Sequence, residues 1–304
     1  MLAEIEEMPV KARLFLKECN DYALPFDVPY IGMGSSYFAP LAFKYMGFPI
    51  LTELASEYYN YLKKDELLPN AVLLSQSGRS TEVLWCASLF EKFTAISNIM
   101  DSPLCLHENI SDIVPLMAGN EKYSSSKTYI NTLLALFKGF KVDVNAAVSL
   151  LERNFEVYRQ KGKEMADLLH NSIEAEGLPS IYITGSGPNI ATAMQAALIL
   201  SESTKLNFNG LPMAQYDHGP KETAKGSMVF NIVAKGKSYD RSRKLEATIE
   251  SAGAKVFSIE EPDATENESI LHNMIPFNFM AYYLSELLQV QDTFLVGGKV
   301  TEVV

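Results

Sequence analysis

The sequence repeats one pattern about half a chain apart, and this repeat limits the possible folds more than any other feature. The segment YIGMGSSYFAPLAFKYM begins at Tyr30, and the similar segment YITGSGPNIATAMQAAL begins at Tyr182. Each contains a short apolar run, a turn with Gly and Ser, and a helical stretch. A second pair, VLLSQSGRS and FNIVAKGKS, follows at a similar offset in each half. The pattern predicts two copies of one α/β unit.

Short apolar runs alternate with helical stretches in both halves. The predicted strands cover residues 28–33, 49–54, 71–76, 180–185, 227–234 and 254–260, and the clearest helices cover 188–206 and 239–252. This alternation predicts an α/β fold of two doubly wound domains, each a parallel sheet flanked by helices. A chain of 304 residues has room for two cores of about 150 residues each. We expect an N-terminal helix and the first domain in 1–165, and the second domain with a C-terminal tail in 166–304.

Two more helices are predicted outside the repeats. Residues 142–171 have no Pro and a single Gly, so we expect a helical connection rather than a flexible linker. Pro9 suits the first turn of a helix, which predicts a helix over 9–20. That helix is expected to pack on a domain or on a partner chain through one apolar side. The predicted apolar side consists of Val10, Leu14, Phe15 and Leu16.

Composition excludes several classes of protein. A formal net charge of −11 without a basic stripe argues against a nucleic-acid partner. Three cysteines without C-x-x-C spacing are typical of reduced thiols in a cytoplasmic protein. No apolar run approaches the roughly 20 residues that span a bilayer. The histidines have no H-x(3)-H or H-E-x-x-H spacing, so we expect no metal and no cofactor.

The most informative turn follows the apolar run AVLL. Three serines and a glycine stand together in the segment from Ser75 to Ser80, and a helical stretch follows it. Hydroxyl groups and the free N–H groups of a helix N-terminus can bind a phosphate at the carboxyl end of a parallel strand. Serine is also an ordinary helix cap. The cluster of hydroxyls favours phosphate binding over a simple cap.

The motif S-Q-S-G-x-[ST] resembles the phosphate-binding loop of sugar isomerase (SIS) domains. The earlier turn, which runs from Gly32 to Ser36, resembles the G-x-G-[ST]-S turn of the same domains. The resemblance implies two SIS domains and a bound sugar phosphate. The residues that it implies in substrate binding are Gly34, Ser36, Ser75, Gln76, Ser77 and Ser80. Arg79 stands where glucosamine-6-phosphate synthases have Glu, which changes the local charge.

A third segment resembles the synthases less closely. Residues 118–128, AGNEKYSSSKT, are similar to A-G-x-E-x(3)-A-S-T-K but one residue shorter. The resemblance implies that Ser125 contacts the substrate. A serine-rich helix cap explains the same segment equally well.

The second half carries the residues suited to acid–base chemistry. Glu202 lies on a predicted helix, and His218 begins an H-G-P turn sixteen positions later, the spacing of the isomerase half of glucosamine-6-phosphate synthase. The resemblance implies that Glu202 moves a proton between C1 and C2 and that His218 opens the sugar ring. In this family the histidine reaches the site of a neighbouring subunit, which implies a homodimer. A lone Glu or His is more often solvated or structural.

The C-terminal tail TFLVGGKVTEVV resembles the end of the same synthases. There a lysine forms a Schiff base with the open-chain sugar, and Lys299 is the matching residue. The alternative is a solvated lysine, in which case isomerisation would depend on Glu202 and His218 alone.

The chain therefore resembles the isomerase half of glucosamine-6-phosphate synthase, and it opens with Met1 rather than the nucleophilic N-terminal Cys of the glutaminase half. We expect no glutamine hydrolysis. The favoured activity is deamination of glucosamine 6-phosphate to fructose 6-phosphate and ammonia. Plain aldose–ketose isomerisation of a hexose 6-phosphate and a non-catalytic sugar-phosphate sensor stay open. A loop over 207–217 is expected to decide the substrate, and the Gly-rich turns do not complete a dinucleotide-binding motif.

Overall fold

The computed structural model describes residues 1–177 and 179–300. Within them, the strands are β1 (Pro29–Gly32), β2 (Leu51–Leu54), β3 (Ala71–Leu74), β4 (Phe93–Ser97), β5 (Ile110–Pro115), β6 (Ile181–Gly185), β7 (Phe208–Pro212), β8 (Met228–Ile232) and β9 (Lys255–Ile259). The α-helices are α1 (Leu2–Glu6), α2 (Met8–Glu18), α3 (Ser35–Met46), α4 (Ala55–Glu57), α5 (Thr81–Ala87), α6 (Lys127–Gly139), α7 (Asn145–Glu176), α8 (Asn189–Thr204), α9 (Met213–Asp217), α10 (Tyr239–Ser251), α11 (Ser269–Asn273) and α12 (Ile275–Leu287). A π-helical turn covers Tyr58–Leu62, and a 3₁₀ turn covers Pro220–Thr223.

The chain forms two compact units. The first unit consists of Glu6–Ala146 with the tail from Phe294, and the second unit consists of Met1–Ile5 with Ala147–Thr293. The long helix α7 belongs to the second unit, and it confirms the helical connection that was predicted over 142–171. A division near residue 165 into independently folding domains stays a prediction.

The first unit is built on a parallel sheet in the order β2-β1-β3-β4-β5. Strands β1 and β3 are buried along their whole length, as expected of inner strands covered on both faces. Their register pairs Ile31 with Leu73. Ile31 and Leu73 belong to a hydrophobic cluster that also contains Phe90 and Phe93. The carboxyl ends of β1 and β3 therefore lie side by side, and the turns that follow them share one edge of the sheet.

The second unit repeats this arrangement with the parallel order β7-β6-β8-β9. Strand β6 lies between β7 and β8, as β1 lies between β2 and β3. The order of strands confirms the α/β class and the repeat between the segments at Tyr30 and Tyr182.

All six predicted strands are present, but the 207–217 segment is not a loop. It contains the edge strand β7 and the short helix α9. The strand was not predicted because it contains Gly210 and Pro212, and both residue types are unfavourable in isolated strands. Pairing of β7 with β6 over the full length from Ile181 to Gly185 supplies the missing stabilisation. A Cβ on Gly210 would lie 2.5 Å from a backbone oxygen of α8, so this glycine permits close packing.

The predicted N-terminal helix exists, but its predicted apolar side is only partly right: Phe15 is buried as predicted, whereas Val10 and Leu14 are not. Helix α2 has Pro9 in its first turn and buries Met8, Ala12 and Phe15. Val10 is 69% exposed, and Leu14 is also exposed. Met8, Ala12 and Phe15 stand at positions i, i+4 and i+7, which share one helical face, whereas Val10 at i+2 points away from that face.

Across the described ranges, no helix is both long and apolar enough to cross a membrane. The three cysteines are free thiols, and all are buried.

Candidate active site

The turn after β3 brings together two of the predicted phosphate-binding serines. The N–H of Ser75 donates to the carbonyl of Ile96 at 3.2 Å, and the N–H of Gly78 donates to the carbonyl of Ser75 at 3.1 Å. The Ser75 and Ser80 hydroxyl oxygens lie 3.0 Å apart. Hydroxyls from both ends of the turn thus meet at the carboxyl end of the strand, where parallel sheets bind ligands.

Gly78 is required for the shape of this turn. Its φ is +63°, and a Cβ at this position would lie 1.9 Å from the Ser102 hydroxyl oxygen. A larger residue would therefore be strained and would also clash. The Ser77 hydroxyl accepts a hydrogen bond from the Arg79 N–H at 3.2 Å, which closes the outer part of the turn.

A cleft of about 540 Å³ lies beside the turn. Its lining residues are Arg79, Thr81, Leu84, Ile99, Asp101, Ser102 and Pro103. Arg79 is exposed and brings a positive charge to this cleft, where the resemblance expects a Glu. A guanidinium suits an anionic ligand, but Asp101 places the opposite charge in the same cleft.

The turn after β1 is equally tight. A Cβ on Gly32 would lie 2.6 Å from the Ser36 carbonyl oxygen, and Gly34 has a φ of +50°. The Ser36 N–H donates to the Met33 carbonyl at 3.0 Å, at the start of α3. Because β1 and β3 are neighbours, the Ser36 and Ser75 turns follow adjacent strands of one sheet.

Asn98 lies just beyond the end of β4, and the sequence did not predict a role for it. Its N–H donates to the Gln76 carbonyl at 3.0 Å. Its side-chain amide donates to the Gly119 carbonyl at 2.7 Å, and its side-chain oxygen accepts from the Ala118 N–H at 3.0 Å. Asn98 therefore ties the serine turn to the 118–128 segment.

The 118–128 segment is organised around Glu121, whose side chain is completely buried. One carboxylate oxygen accepts from the Ser126 N–H and hydroxyl, both at 2.9 Å, and from the Thr128 N–H at 3.2 Å. The other oxygen accepts from the Thr128 hydroxyl. The Ser125 and Thr128 hydroxyl oxygens lie 2.9 Å apart. The predicted substrate-contacting serine thus sits at the edge of a buried polar network.

The Lys299 side chain contacts the same 118–128 segment. Its ammonium nitrogen is 2.8 Å from the Glu121 carbonyl oxygen, 3.1 Å from a Glu121 carboxylate oxygen and 2.6 Å from the Tyr123 carbonyl oxygen. The side chain is 21% exposed. Three oxygen acceptors match the three hydrogens of an ammonium group. A freely solvated lysine would have no such set of contacts.

Glu202 and His218 both belong to the second unit. Glu202 is half-buried in the last turn of α8, and its carbonyl accepts from the Lys205 ammonium at 2.6 Å. His218 follows α9, where its N–H donates to the Ala214 carbonyl at 3.2 Å, and its side chain is exposed. The neighbouring Asp217 accepts from Lys221 at 3.0 Å and from Arg241 at 3.1 Å.

Asp217 places a stable negative charge beside His218. The hydrogen bond from Lys221, followed by that from Arg241, holds the pKa of the Asp217 carboxyl below its ordinary value. The carboxylate is therefore ionised throughout the neutral pH range.

The first unit thus holds the serine turns, Asn98, the Glu121 network and Lys299, whereas the second holds Glu202 and His218. The A-G-x-E motif could have indicated that Glu121 belongs to the candidate site. In the described part of the chain, no group of three or more His, Cys, Asp or Glu side chains could hold a metal ion.

No protein-family model matches the chain. The curated glutamine–fructose-6-phosphate aminotransferase (isomerizing) of Pyrococcus horikoshii is 26% identical across 94% of this chain and 54% of its own length. The chain therefore spans about half the length of the curated relatives it matches.

Two solved structures share the fold. A Thermotoga maritima glucosamine-6-phosphate deaminase has a TM-score of 0.75 at 19% identity, with 93% of this chain and 92% of that chain covered. The C-terminal domain of a Francisella tularensis glucosamine-fructose-6-phosphate aminotransferase has a TM-score of 0.74 at 16% identity, with 95% and 96% covered. The homologues of this chain are the SIS isomerase half of glutamine–fructose-6-phosphate aminotransferases, and its fold is that of stand-alone SIS phosphosugar isomerases and deaminases.

Proposed function

We propose that the protein deaminates glucosamine 6-phosphate, so that one sugar phosphate and one water give fructose 6-phosphate and ammonia. In this proposal Gly34, Ser36 and the turn over 75–80 bind the phosphate. His218 opens the ring, and Glu202 moves a proton from C2 to C1. The resulting imine at C2 then exchanges its nitrogen for the oxygen of water.

The contact between Lys299 and the 118–128 segment carries this proposal. An amine attached to the same unit as the phosphate-binding turn can capture the carbonyl or imine carbon of an open-chain sugar. Asn98 supports the arrangement because it joins that turn to the segment holding Lys299. Plain isomerisation of a hexose phosphate would not require an amine in this position.

Ammonia release from glucosamine 6-phosphate tests the reaction directly. The wild-type protein is expected to release ammonia and to form fructose 6-phosphate in equal amounts. Lys299→Met should abolish or strongly reduce ammonia release, because the nucleophilic amine is lost. Lys92→Met removes an exposed lysine of the same unit and should leave the rate unchanged.

Two outcomes contradict the deaminase proposal. Interconversion of glucose 6-phosphate and fructose 6-phosphate without ammonia release would assign plain isomerisation instead. Binding of several sugar phosphates without turnover of any of them would assign a sensor.

We also propose a homodimer in which His218 completes the site of the partner chain, and the exposure of His218 supports this. Lys299→Met chains mixed with His218→Asn chains should then recover activity that neither variant has alone. In the mixed dimer, one site receives an intact lysine from one chain and an intact histidine from the other. No recovery after verified subunit exchange, or a monomeric mass for the active protein, would contradict the shared site.

A further inference from the structure

Glu121 has no role in the reaction proposed above, yet it is the most heavily bonded buried carboxylate near the candidate site. Its side chain is fully buried and accepts hydrogen bonds from Ser126, Thr128 and Lys299. Desolvating a carboxylate is unfavourable unless such donors compensate for the lost water. The donors of the network therefore point toward Glu121 and replace the water that its carboxylate loses on burial.

The network also fixes the direction of two hydroxyl groups. The Thr128 hydroxyl has one hydrogen, which it donates to Glu121. Thr128 can therefore only accept in its contact with Ser125, so that Ser125 is the donor across the 2.9 Å between the two oxygens. The hydrogen of Ser125 then points into the network.

The same carboxylate holds the amine of the C-terminal tail. Glu121 supplies two of the three oxygens around the Lys299 ammonium, one from its side chain and one from its backbone, and Tyr123 supplies the third. The two residues are 178 positions apart in the chain. An ionised acceptor makes a stronger hydrogen bond than a neutral one, so the carboxylate contributes most to holding this position.

We propose that Glu121 is a positioning residue, which places the Lys299 amine for its bond to the sugar and, through Thr128, fixes the direction of the Ser125 hydroxyl. This rests on the proposed function, in which Lys299 bonds to a sugar carbon. In that step the Lys299 nitrogen bonds to the carbonyl carbon and the carbonyl oxygen leaves as water. The three ammonium hydrogens end as two on water and one on the iminium nitrogen.

The first experiment needs no substrate. Wild-type protein is treated briefly with an acetylating reagent, and the modification of Lys299 is compared by peptide mass spectrometry with that of exposed Lys92. Lys299 is expected to react more slowly than Lys92. Glu121→Gln should raise the acetylation rate of Lys299 relative to that of Lys92 about tenfold, because a charged acceptor is lost. Equal rates for the two lysines in the wild type, or an unchanged ratio in Glu121→Gln, would overturn the positioning role.

The second experiment follows the chemistry. Borohydride reduction in the presence of fructose 6-phosphate should attach the sugar to Lys299 in the wild type, and Glu121→Gln should reduce this trapping and kcat in the same proportion. Thr128→Val removes the hydroxyl that contacts Glu121 and Ser125 but keeps the contact between Glu121 and Lys299, so trapping and kcat should fall less than in Glu121→Gln. Glu91→Gln, an exposed carboxylate of the same unit, is the matched control.

The outcomes separate the two proposals. If the wild type neither traps nor turns over any sugar phosphate, the proposed function fails, while the acetylation ratio still decides the positioning role. If the wild type is active and Glu121→Gln keeps its kcat and trapping, the positioning role fails alone. If Glu121→Gln does not fold, the acetylation ratio of Lys299 to Lys92 in the wild type and in Thr128→Val, which loses one hydrogen bond to Glu121, decides the matter.

Discussion

The two units share one strand order but differ at the turn where a phosphate would bind. In the first unit β3 runs into a turn of serines, where Gly78 faces the Ser102 hydroxyl. In the second unit β8 leads to AKGKS, and a Cβ on the matching Gly236 would lie 2.1 Å from the carboxyl carbon of Glu266. The Glu266 carboxylate thus covers the second turn and fills space beside its backbone that a phosphate group would need, although Lys235 and Lys237 flank Gly236.

This difference supports the proposal that the two copies of the fold contribute different parts of one reaction. The first unit contains the hydroxyl-rich turn, Lys299 and the Glu121 network. The second unit contains Glu202 and His218 instead. Binding of the phosphate and transfer of the proton are therefore proposed for different copies of the same architecture.

The largest effect is expected on kcat, from a variant that removes the proposed proton-transfer group and leaves the proposed phosphate-binding turn intact. Glu202→Gln is expected to lower kcat by about 10²- to 10⁴-fold, the usual contribution of a general acid–base group. The dissociation constant of fructose 6-phosphate, measured by calorimetry, should change little because we propose that the phosphate binds the other unit. Glu250→Gln, an exposed residue of the second unit, is the control. A full loss of binding in Glu202→Gln would remove the division of roles.

The second unit should become less stable as the pH is lowered. His272 is completely buried there, and burial lowers its pKa from 6.5 to about 4. The unfolded chain takes up a proton near pH 6.5, but the folded chain does so only near pH 4. The stability contribution therefore falls as the pH is lowered through this window, by about 3 kcal/mol in total.

This loss can be measured by urea unfolding monitored through hydrogen exchange in peptides of the second unit. His272→Gln should flatten the dependence between pH 6.5 and 4 relative to the wild type. The same slope in both proteins would assign the acid sensitivity to other groups.

The two matching glycines should respond differently to alanine. Gly78→Ala places a Cβ at a φ of +63° and 1.9 Å from Ser102, so we expect about 1–2 kcal/mol of strain and at least a comparable loss of fructose 6-phosphate affinity. Gly236→Ala meets only the end of a flexible Glu266 side chain, which can move aside. Calorimetric titration of both variants checks this, and equal effects would show that the turns are not distinct.

The smallest effect concerns the ion pairs beside His218. Asp217→Asn removes exposed pairs with Lys221 and Arg241 and should cost less than about 1 kcal/mol of stability. The lowered pKa of Asp217 means that its contribution is present above pH 3.8 and disappears as the pH falls through its lower folded value. Thermal unfolding at pH 7 and below pH 3 tests both statements, and a large loss at pH 7 would mean that Asp217 is structural.

Most of the sheet architecture could be predicted because inner parallel strands are continuous apolar runs. Strand β4 was not predicted although it is an inner and fully buried strand, because Thr94 and Ser97 interrupt its apolar run. Strands β5 and β7 were not predicted either. In β5 most residues are exposed or only half-buried, and β7 contains Gly and Pro, so neither gives a strong pattern.

The serines and the Glu202 to His218 spacing were visible as local motifs, but the contacts that organise them were not. Asn98 acts through residues that are about twenty positions away on each side. Glu121 acts on a lysine at the other end of the chain. Such contacts depend on tertiary packing, which a local pattern does not contain.

A crystal structure of the protein soaked with fructose 6-phosphate tests the division between the two units most directly. We predict that the phosphate lies within hydrogen-bonding distance of the Ser77 and Ser80 hydroxyls in the first unit, with nothing bound at the turn that Glu266 covers. A phosphate bound instead at the Gly236 turn of the second unit would contradict it.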